Sequence, residues 1–126
     1  VVKEWDGFEI LPFHIEIEKP QLLTRRVTTL PADFSKEVLY LDEEKIQGDL
    51  HLRYWKTGDR IFPIGMKGSQ LISDVLKDAK INKHDRSFGW LICDEKDIHA
   101  CCGIKLGRKA IANSESKSIL EVKIEG

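Results

Sequence analysis

The sequence lacks the features that would place it at once in several common protein classes. No apolar run approaches the roughly 20 residues needed to cross a bilayer, and the first residues form neither a signal peptide nor an amphipathic transit segment. P-loop, HExxH and GxSxG motifs are absent. We therefore expect a protein that is not embedded in a membrane, and we predict no catalytic residue in this chain.

Cysteine is scarce, and its spacing suits neither a disulfide framework nor a zinc site. The three cysteines, Cys93, Cys101 and Cys102, lie close to His99 in the sequence. Their spacing lacks a CxxC knuckle, and adjacent residues in a strand point to opposite faces of a sheet. We expect buried free thiols, no metal and a reducing, cytoplasmic location. A small metal-dependent hydrolase using these residues stays as an alternative, and it predicts stoichiometric zinc.

The residues that are present describe a globular chain the size of one domain. Of its 126 residues, 41% are hydrophobic and 33% are charged, which is enough apolar material to bury a core without disulfide or metal staples. Because the chain begins with Val1 and not with methionine, we expect it to be a fragment of a longer protein.

Short alternating segments around one helical pattern predict an α+β fold, a small β-rich, sandwich-like domain with one main helix. The apolar face of that helix consists of Ile72, Val75, Leu76 and Ala79, and Ser69 is its predicted N-cap. Strands are predicted at 5–18 (a strand or hairpin), 25–30, 38–41, 51–55, 88–93, 98–104, 109–112 and 120–124, with helical turns at 42–45 and 83–86.

Charge is distributed unevenly along the chain, although the net charge is only −1. Residues 1–49 hold six basic and eleven acidic side chains, whereas residues 50–112 hold twelve basic and seven acidic ones. We place a candidate boundary at Gly48-Asp49. Residues 1–49 are predicted to be acidic strands that complete the same sheet or form a linker subdomain, and residues 50–126 are predicted to form the C-terminal domain. The local excess of cations favours nucleic-acid binding by the second part.

The most informative stretch, residues 53–69, combines cations with glycines. Arg53, Lys56, Arg60 and Lys67 recur along it. The backbone between them is freed by glycine to approach a ligand closely, at Gly58, Gly65 and Gly68. Exposed N–H groups and cations at the start of the predicted helix suit a phosphate.

This stretch closely resembles the C-terminal domain of the tRNA(Ile)-lysidine synthetase family. The shared pattern is Arg-x-Trp-x-x-Gly-Asp-Arg, then Pro-x-Gly-Met-Lys-Gly, a short helix, a basic turn with an arginine, and a glycine before a basic strand. The match to this pattern covers residues 50–112. The matching residues are Arg53, Trp55, Gly58, Asp59, Arg60, Pro63, Gly65, Met66, Lys67, Gly68, Lys80, Arg86 and Gly103. The match loosens after Gly103, which leaves Lys105, Arg108 and Lys109 without an assigned role.

The resemblance implies a fold and a function. The fold would be the β-rich sandwich shared with part of the phenylalanyl-tRNA synthetase beta chain. The full-length enzyme would use ATP (with magnesium) and lysine to convert the wobble cytidine of an isoleucine tRNA to lysidine. The Ser-Gly-Gly-x-Asp-Ser type of ATP-binding loop is absent here, so we expect this fragment to bind no cofactor and to be inactive alone. Its implied partners are the tRNA(Ile) acceptor stem and the parent enzyme's catalytic domain, and self-association as a homodimer stays open.

The predicted RNA-binding residues follow from the matched positions. They are Arg53, Arg60, Lys67, Gly68, Ser69, Lys80 and Arg86. Lys67 would contact phosphate as a point charge, and the amides of Gly68 and Ser69 would add hydrogen bonds.

Several of these residues also have a structural interpretation. Arg53 is equally well explained by an ion pair with Asp59 or with the acidic N-terminal half, and Lys80 by the dipole at the helix C-terminus. Trp55 and Trp90 are predicted to fill the core. The alternative function is a protein-docking module, in which the basic half faces the parent enzyme or the acidic half faces a partner.

Overall fold

A computed structural model describes residues 2–4, 7–8, 20–33, 35–79 and 87–125 of the chain. Most of the hairpin predicted at 5–18, the turn predicted at 83–86, and the candidate RNA-binding residues Lys80 and Arg86 lie outside these residues. The strands are β1 (Val2–Glu4), β2 (Gly7–Phe8), β3 (Gln21–Val27), β4 (Val38–Asp42), β5 (His51–Tyr54), β6 (Arg60–Ile61), β7 (Gln70–Leu71), β8 (Trp90–Cys93), β9 (Ile98–Cys101), β10 (Lys105–Leu106) and β11 (Ile119–Glu125). The helix α1 spans Ile72–Asp78.

Two antiparallel sheets contain most of the described strand residues. The first has the order β10-β9-β8-β5, and the second has the order β3-β11-β4. Strands β6 and β7 pair with each other, as do β1 and β2. Strand β8 is thus an inner strand of the four-stranded sheet, with β9 on one side and β5 on the other. Strand β11 pairs on both sides with strands from the first third of the chain, which ties residues 21–42 to the C-terminal strand.

The four-stranded sheet is the middle layer, because its alternate side chains enter two separate apolar clusters. Leu91 and Cys93 pack in a cluster with α1 and β6. Ile92, between them in β8, packs in a second cluster with Leu39 and other residues of the three-stranded sheet. Period-two alternation thus turns one face of β8 toward the helix layer and the other toward the second sheet.

Helix α1 forms where the apolar periodicity predicts it. Ile72, Val75 and Leu76 are buried in the first cluster, as expected for one face of an amphipathic helix. The predicted N-cap is wrong: the residue before the helix is Leu71, without a side-chain cap bond. The Ser69 hydroxyl instead accepts a hydrogen bond from Nε of Arg60 at 2.7 Å.

Two smaller predictions have different outcomes. The helical turn predicted at 42–45 is a 3-10 turn at Glu43–Lys45, and the Asp42 carboxylate accepts from the Glu44 amide. The strand predicted at 109–112 is reduced to one bridge between Ile111 and Leu41. Nothing helical in the described residues has the length and apolar character that a membrane crossing requires.

Candidate functional site

The β6–β7 loop, residues 62–69, is the exposed segment on which the sequence motif concentrates. Strands β6 and β7 hold its two ends together through the pairs Arg60–Leu71 and Ile61–Gln70. Residues 64–68 are exposed along their whole length. A Cβ atom added at Gly68 would meet nothing within 4 Å, so this side of the loop is open to a ligand.

The segment 106–108 anchors the β6–β7 loop through backbone contacts. The Ile64 amide donates to the Leu106 carbonyl at 3.0 Å, and the Arg108 amide donates to the Phe62 carbonyl at 2.8 Å. Between these two bonds, Pro63 and Gly107 form a bridge. The loop is therefore anchored near its first residues, whereas its outer residues face solvent.

The Arg108 side chain holds the outer part of the loop. Its Nε donates to the Met66 carbonyl at 3.0 Å, and its Nη2 donates to the Lys67 carbonyl at 2.6 Å. The guanidinium carbon lies 5.3 Å from the centroid of the Phe62 ring, within cation–π range. The sequence motif does not mark this residue, because the match loosens after Gly103 and the contact joins positions about 40 residues apart.

Several cations surround the same loop. The Lys67 side chain is exposed, and its ammonium has no hydrogen-bond or ion-pair partner within the described ranges. Lys109 Nζ lies 4.2 Å from the Phe62 ring centroid, and Arg60 is bonded to Ser69 as described above. We call the surface formed by the β6–β7 loop with Arg60, Arg108 and Lys109 the basic loop face.

Arg53 and Asp59 form an ion pair beside this surface. The two guanidinium nitrogens of Arg53 donate to the two carboxylate oxygens of Asp59, each at 2.9 Å. The Asp59 carboxylate also accepts from the Lys56 amide at 2.7 Å, so it orders the turn at 56–59. The hydrogen bond from Arg53 is the main cause that lowers the pKa of Asp59 below its ordinary value. The guanidinium of Arg53 is thus already engaged by a carboxylate.

Two cations of the N-terminal half, Arg25 and Arg26, are paired with acidic side chains. On β3, Arg25 Nε lies 2.5 Å from a Glu121 oxygen, and Arg26 Nε lies 2.8 Å from a Glu43 oxygen. These pairs lie on the three-stranded sheet or beside it. These two arginines are therefore engaged by carboxylates, whereas the exposed Lys67 of the basic loop face has no such partner among the described residues.

Sequence comparison relates most of the chain to one group of enzymes. It is 43% identical over 89 residues to the tRNA(Ile)-lysidine synthase of Clostridium tetani, a match that covers 71% of this chain and 19% of that protein. The synthase of Clostridium acetobutylicum is 35% identical over 91 residues, covering 72% and 20%, respectively. That of Parabacteroides distasonis is 32% identical over 96 residues, covering 76% and 22%. No protein-family model matches the chain. The chain belongs to the tRNA(Ile)-lysidine synthase family.

A crystal structure of the TILS C-terminal domain has the same fold. Its TM-score with this chain is 0.73 at 16% identity, and the likeness covers 86% of this chain and 85% of that chain. The family and the α+β class predicted from the sequence are confirmed, whereas the likeness to phenylalanyl-tRNA synthetase stays a prediction. The chain spans about a fifth of the length of the curated synthases that it matches.

Within this synthase-family chain, the structure brings some of the predicted site residues together. Arg60, Lys67, Gly68 and Ser69 share the basic loop face. Arg53 is next to it but committed to Asp59. Trp55 and Trp90 are half-buried against the first and second apolar cluster, respectively, as the core interpretation predicts.

The cysteines lie in the core and not in a shared site. Cys93 and Cys101 belong to the first apolar cluster, and Cys102 belongs to the second. All three are free thiols. Among the described residues no group of three or more His, Cys, Asp or Glu side chains is arranged to hold a metal.

His99 is instead bonded to Asp94 in the interior. Its Nε2 lies 2.8 Å from Oδ2 of Asp94, and both side chains are almost fully buried. Burial raises the pKa of Asp94, but hydrogen bonds from three backbone amides and from His99 outweigh it, so the pKa lies well below its ordinary range. This pair fixes the turn before β9, and the carbonyl of His99 accepts from the Gly107 amide at 2.7 Å.

Proposed function

We propose that this chain recognises tRNA on behalf of a tRNA(Ile)-lysidine synthase and takes no part in the chemistry. The observation that carries the proposal is the basic loop face, where Arg60, Lys67, Arg108 and Lys109 surround one exposed loop. RNA backbones attract such a surface because each phosphate carries a negative charge. Lys67 and Arg60 would contact phosphates, and the amides of Gly68 and Ser69 would add hydrogen bonds.

The RNA element that suits this surface is a double-stranded stem. The major groove of an A-form helix is too deep and narrow for side chains to read, so shape and contacts with phosphates and riboses dominate its recognition. We assign the acceptor stem of tRNA(Ile) to the basic loop face. Lys80 and Arg86 would extend the contact, as the sequence motif predicts.

The whole enzyme would act at the other end of the tRNA. Its catalytic domain would use ATP, magnesium and lysine to convert the wobble cytidine to lysidine, while this chain holds the acceptor stem. The chain would therefore need no cofactor of its own, and both would work in the cytoplasm, where tRNA is found.

A salt titration tests the RNA-binding proposal directly. If around four phosphates are neutralised, the logarithm of the binding constant for an isoleucine tRNA transcript should fall with log salt at a slope on the order of −3 to −4. An acceptor-stem hairpin should compete with the tRNA, and an anticodon-stem hairpin should not. A slope near zero, or equal competition by the two hairpins, would contradict the assignment.

One observation favours a second candidate, docking onto the parent enzyme. Ile64 and Met66, on the same loop as Lys67, are 50% and 41% exposed. Exposed apolar side chains are typical of protein interfaces. If the loop docks on the catalytic domain, that domain, expressed separately, should bind the chain and block tRNA. If the loop binds RNA, tRNA should still bind when both fragments are mixed.

A further inference from the structure

We propose that Arg108 is a positioning residue, which orients the β6–β7 loop so that N–H groups and the Lys67 ammonium face the RNA. This inference rests on the RNA-binding function proposed above. The sequence motif gives Arg108 no role. In this proposal its side chain binds the carbonyls of the loop and does not bind the RNA.

The geometry begins with two consecutive carbonyls. Those of Met66 and Lys67 both accept from the Arg108 guanidinium, at 3.0 and 2.6 Å. Guanidinium donors are held in a rigid planar fork, so one side chain can fix two neighbouring peptide groups. A lysine has a single ammonium on a flexible stem and would not fix both in the same way.

The orientation of the carbonyls determines the orientation of the amides. In a planar trans peptide the C=O and N–H bonds point in opposite directions, and the described residues contain no cis peptide. The N–H groups of Lys67 and Gly68 therefore point away from Arg108. Neither N–H has a partner within the part of the chain that the structure describes. The outer side of the loop thus presents these two donors and a cation, and the carbonyls of Met66 and Lys67 are turned inward.

This orientation matters for an anionic ligand. A carbonyl oxygen carries partial negative charge and repels phosphate, whereas an amide N–H attracts it. Without Arg108, the two carbonyls would need water as a partner, and the loop would be free to turn them outward. Arg108 itself is well fixed, because its own amide donates to the Phe62 carbonyl at 2.8 Å and its guanidinium lies over the Phe62 ring.

A direct phosphate contact by Arg108 is the competing explanation, and salt dependence separates the two. Each neutralised phosphate adds about 0.9 to the magnitude of the salt slope. For Arg108→Gln we expect about a tenfold loss of affinity for the tRNA transcript with an unchanged slope. A slope reduced by about one would identify a phosphate contact and overturn the proposal, as would an unchanged affinity.

Two further variants sharpen the comparison. Arg108→Lys keeps the charge but not the fork, so it should lose nearly as much affinity as Arg108→Gln; full recovery would overturn the proposal. Lys109→Gln removes the neighbouring cation on the same Phe62 ring. This variant is the matched control, because it also removes one positive charge beside the loop. It should leave the loop ordered.

Loop order can be measured without RNA. Backbone order parameters of Lys67 and Gly68 should fall from rigid values of about 0.85 to below about 0.6 in Arg108→Gln, while those of β8 stay unchanged and show that the variant is folded. Unchanged order parameters in the loop would overturn the positioning role. Failure of the RNA-binding function would appear separately, as absent or salt-independent tRNA binding by the unsubstituted chain.

Discussion

Arg53 and Asp59 face each other through two parallel hydrogen bonds of 2.9 Å, at the end of β5 and the start of β6. Asp59 also connects to the helix, because its carbonyl accepts from the Ile72 amide at 2.8 Å. One ion pair therefore links the middle sheet, the turn at 56–59 and the first residue of α1. In the motif Arg-x-Trp-x-x-Gly-Asp-Arg, the first arginine and the aspartate therefore have a structural role that does not depend on contact with RNA.

Asp59→Asn should destabilise the chain. The variant loses the carboxylate that pairs with Arg53, whose side chain is only 30% exposed, and we expect a cost of about 2 kcal/mol in the free energy of unfolding. Urea denaturation near neutral pH measures this cost. Asp33→Asn, on an exposed bend, is the control and should change stability by no more than about 0.5 kcal/mol.

The same pair predicts a pH dependence. Because Arg53 lowers the pKa of Asp59 in the folded state, the carboxylate contributes stability above its unfolded pKa of about 3.9. That contribution is lost as the pH falls through the lower, folded pKa. The stability gap between the unsubstituted chain and Asp59→Asn should narrow below about pH 4; a gap that stays constant down to pH 2 would contradict the assigned role.

Patterns among neighbouring residues in the sequence predicted the helix and strands that such neighbours define. The apolar face of α1 and the alternation in β5 are readable because the side chains that define them are near neighbours in the sequence. The pairing of Arg60 with Ser69 was missed because an N-cap was the simpler local use of that serine. The Arg108 contact was missed because backbone pairing between segments 62–64 and 106–108, about 40 residues apart, is what brings Arg108 to the loop. Such a contact has no short-range signature.

Gly107→Ala should destabilise the packing of segment 106–108, which anchors the basic loop face. A Cβ atom at this position would lie 3.0 Å from the His99 carbonyl oxygen and 3.1 Å from that of Ile98, both backbone atoms of β9. Backbone atoms cannot move aside as a flexible side chain does, so we expect a loss of about 1–3 kcal/mol by thermal or urea unfolding. Gly68→Ala is the matched control, because a Cβ there meets nothing within 4 Å. Equal stability of the two variants would show that segment 106–108 is not packed as described.

The three cysteines should resist thiol reagents in the folded chain. Burial raises the pKa of Cys93 to about 11 and those of Cys101 and Cys102 to about 12, and only the thiolate is nucleophilic. At pH 8 we expect almost no reaction with an aromatic disulfide reagent within minutes, and reaction of all three thiols in urea. Asn113→Cys, at an exposed position, supplies a reactive thiol as the positive control. A native cysteine that reacts as fast as this introduced thiol would contradict the burial.

Reversing the charge of Lys67 tests whether the loop meets RNA or only connects two strands. Its ammonium is exposed and has no partner in the described ranges, so Lys67→Glu should change the free energy of unfolding by no more than about 0.5 kcal/mol. If Lys67 contacts a phosphate, tRNA affinity should fall at least about tenfold, and the magnitude of the salt slope should drop by about one. Lys36→Glu makes the same change at an exposed position in the acidic half of the chain and should leave the salt slope unchanged. Equal effects of the two substitutions on tRNA affinity would mean that binding responds only to net charge. Unchanged affinity in Lys67→Glu would mean that the loop only connects two strands.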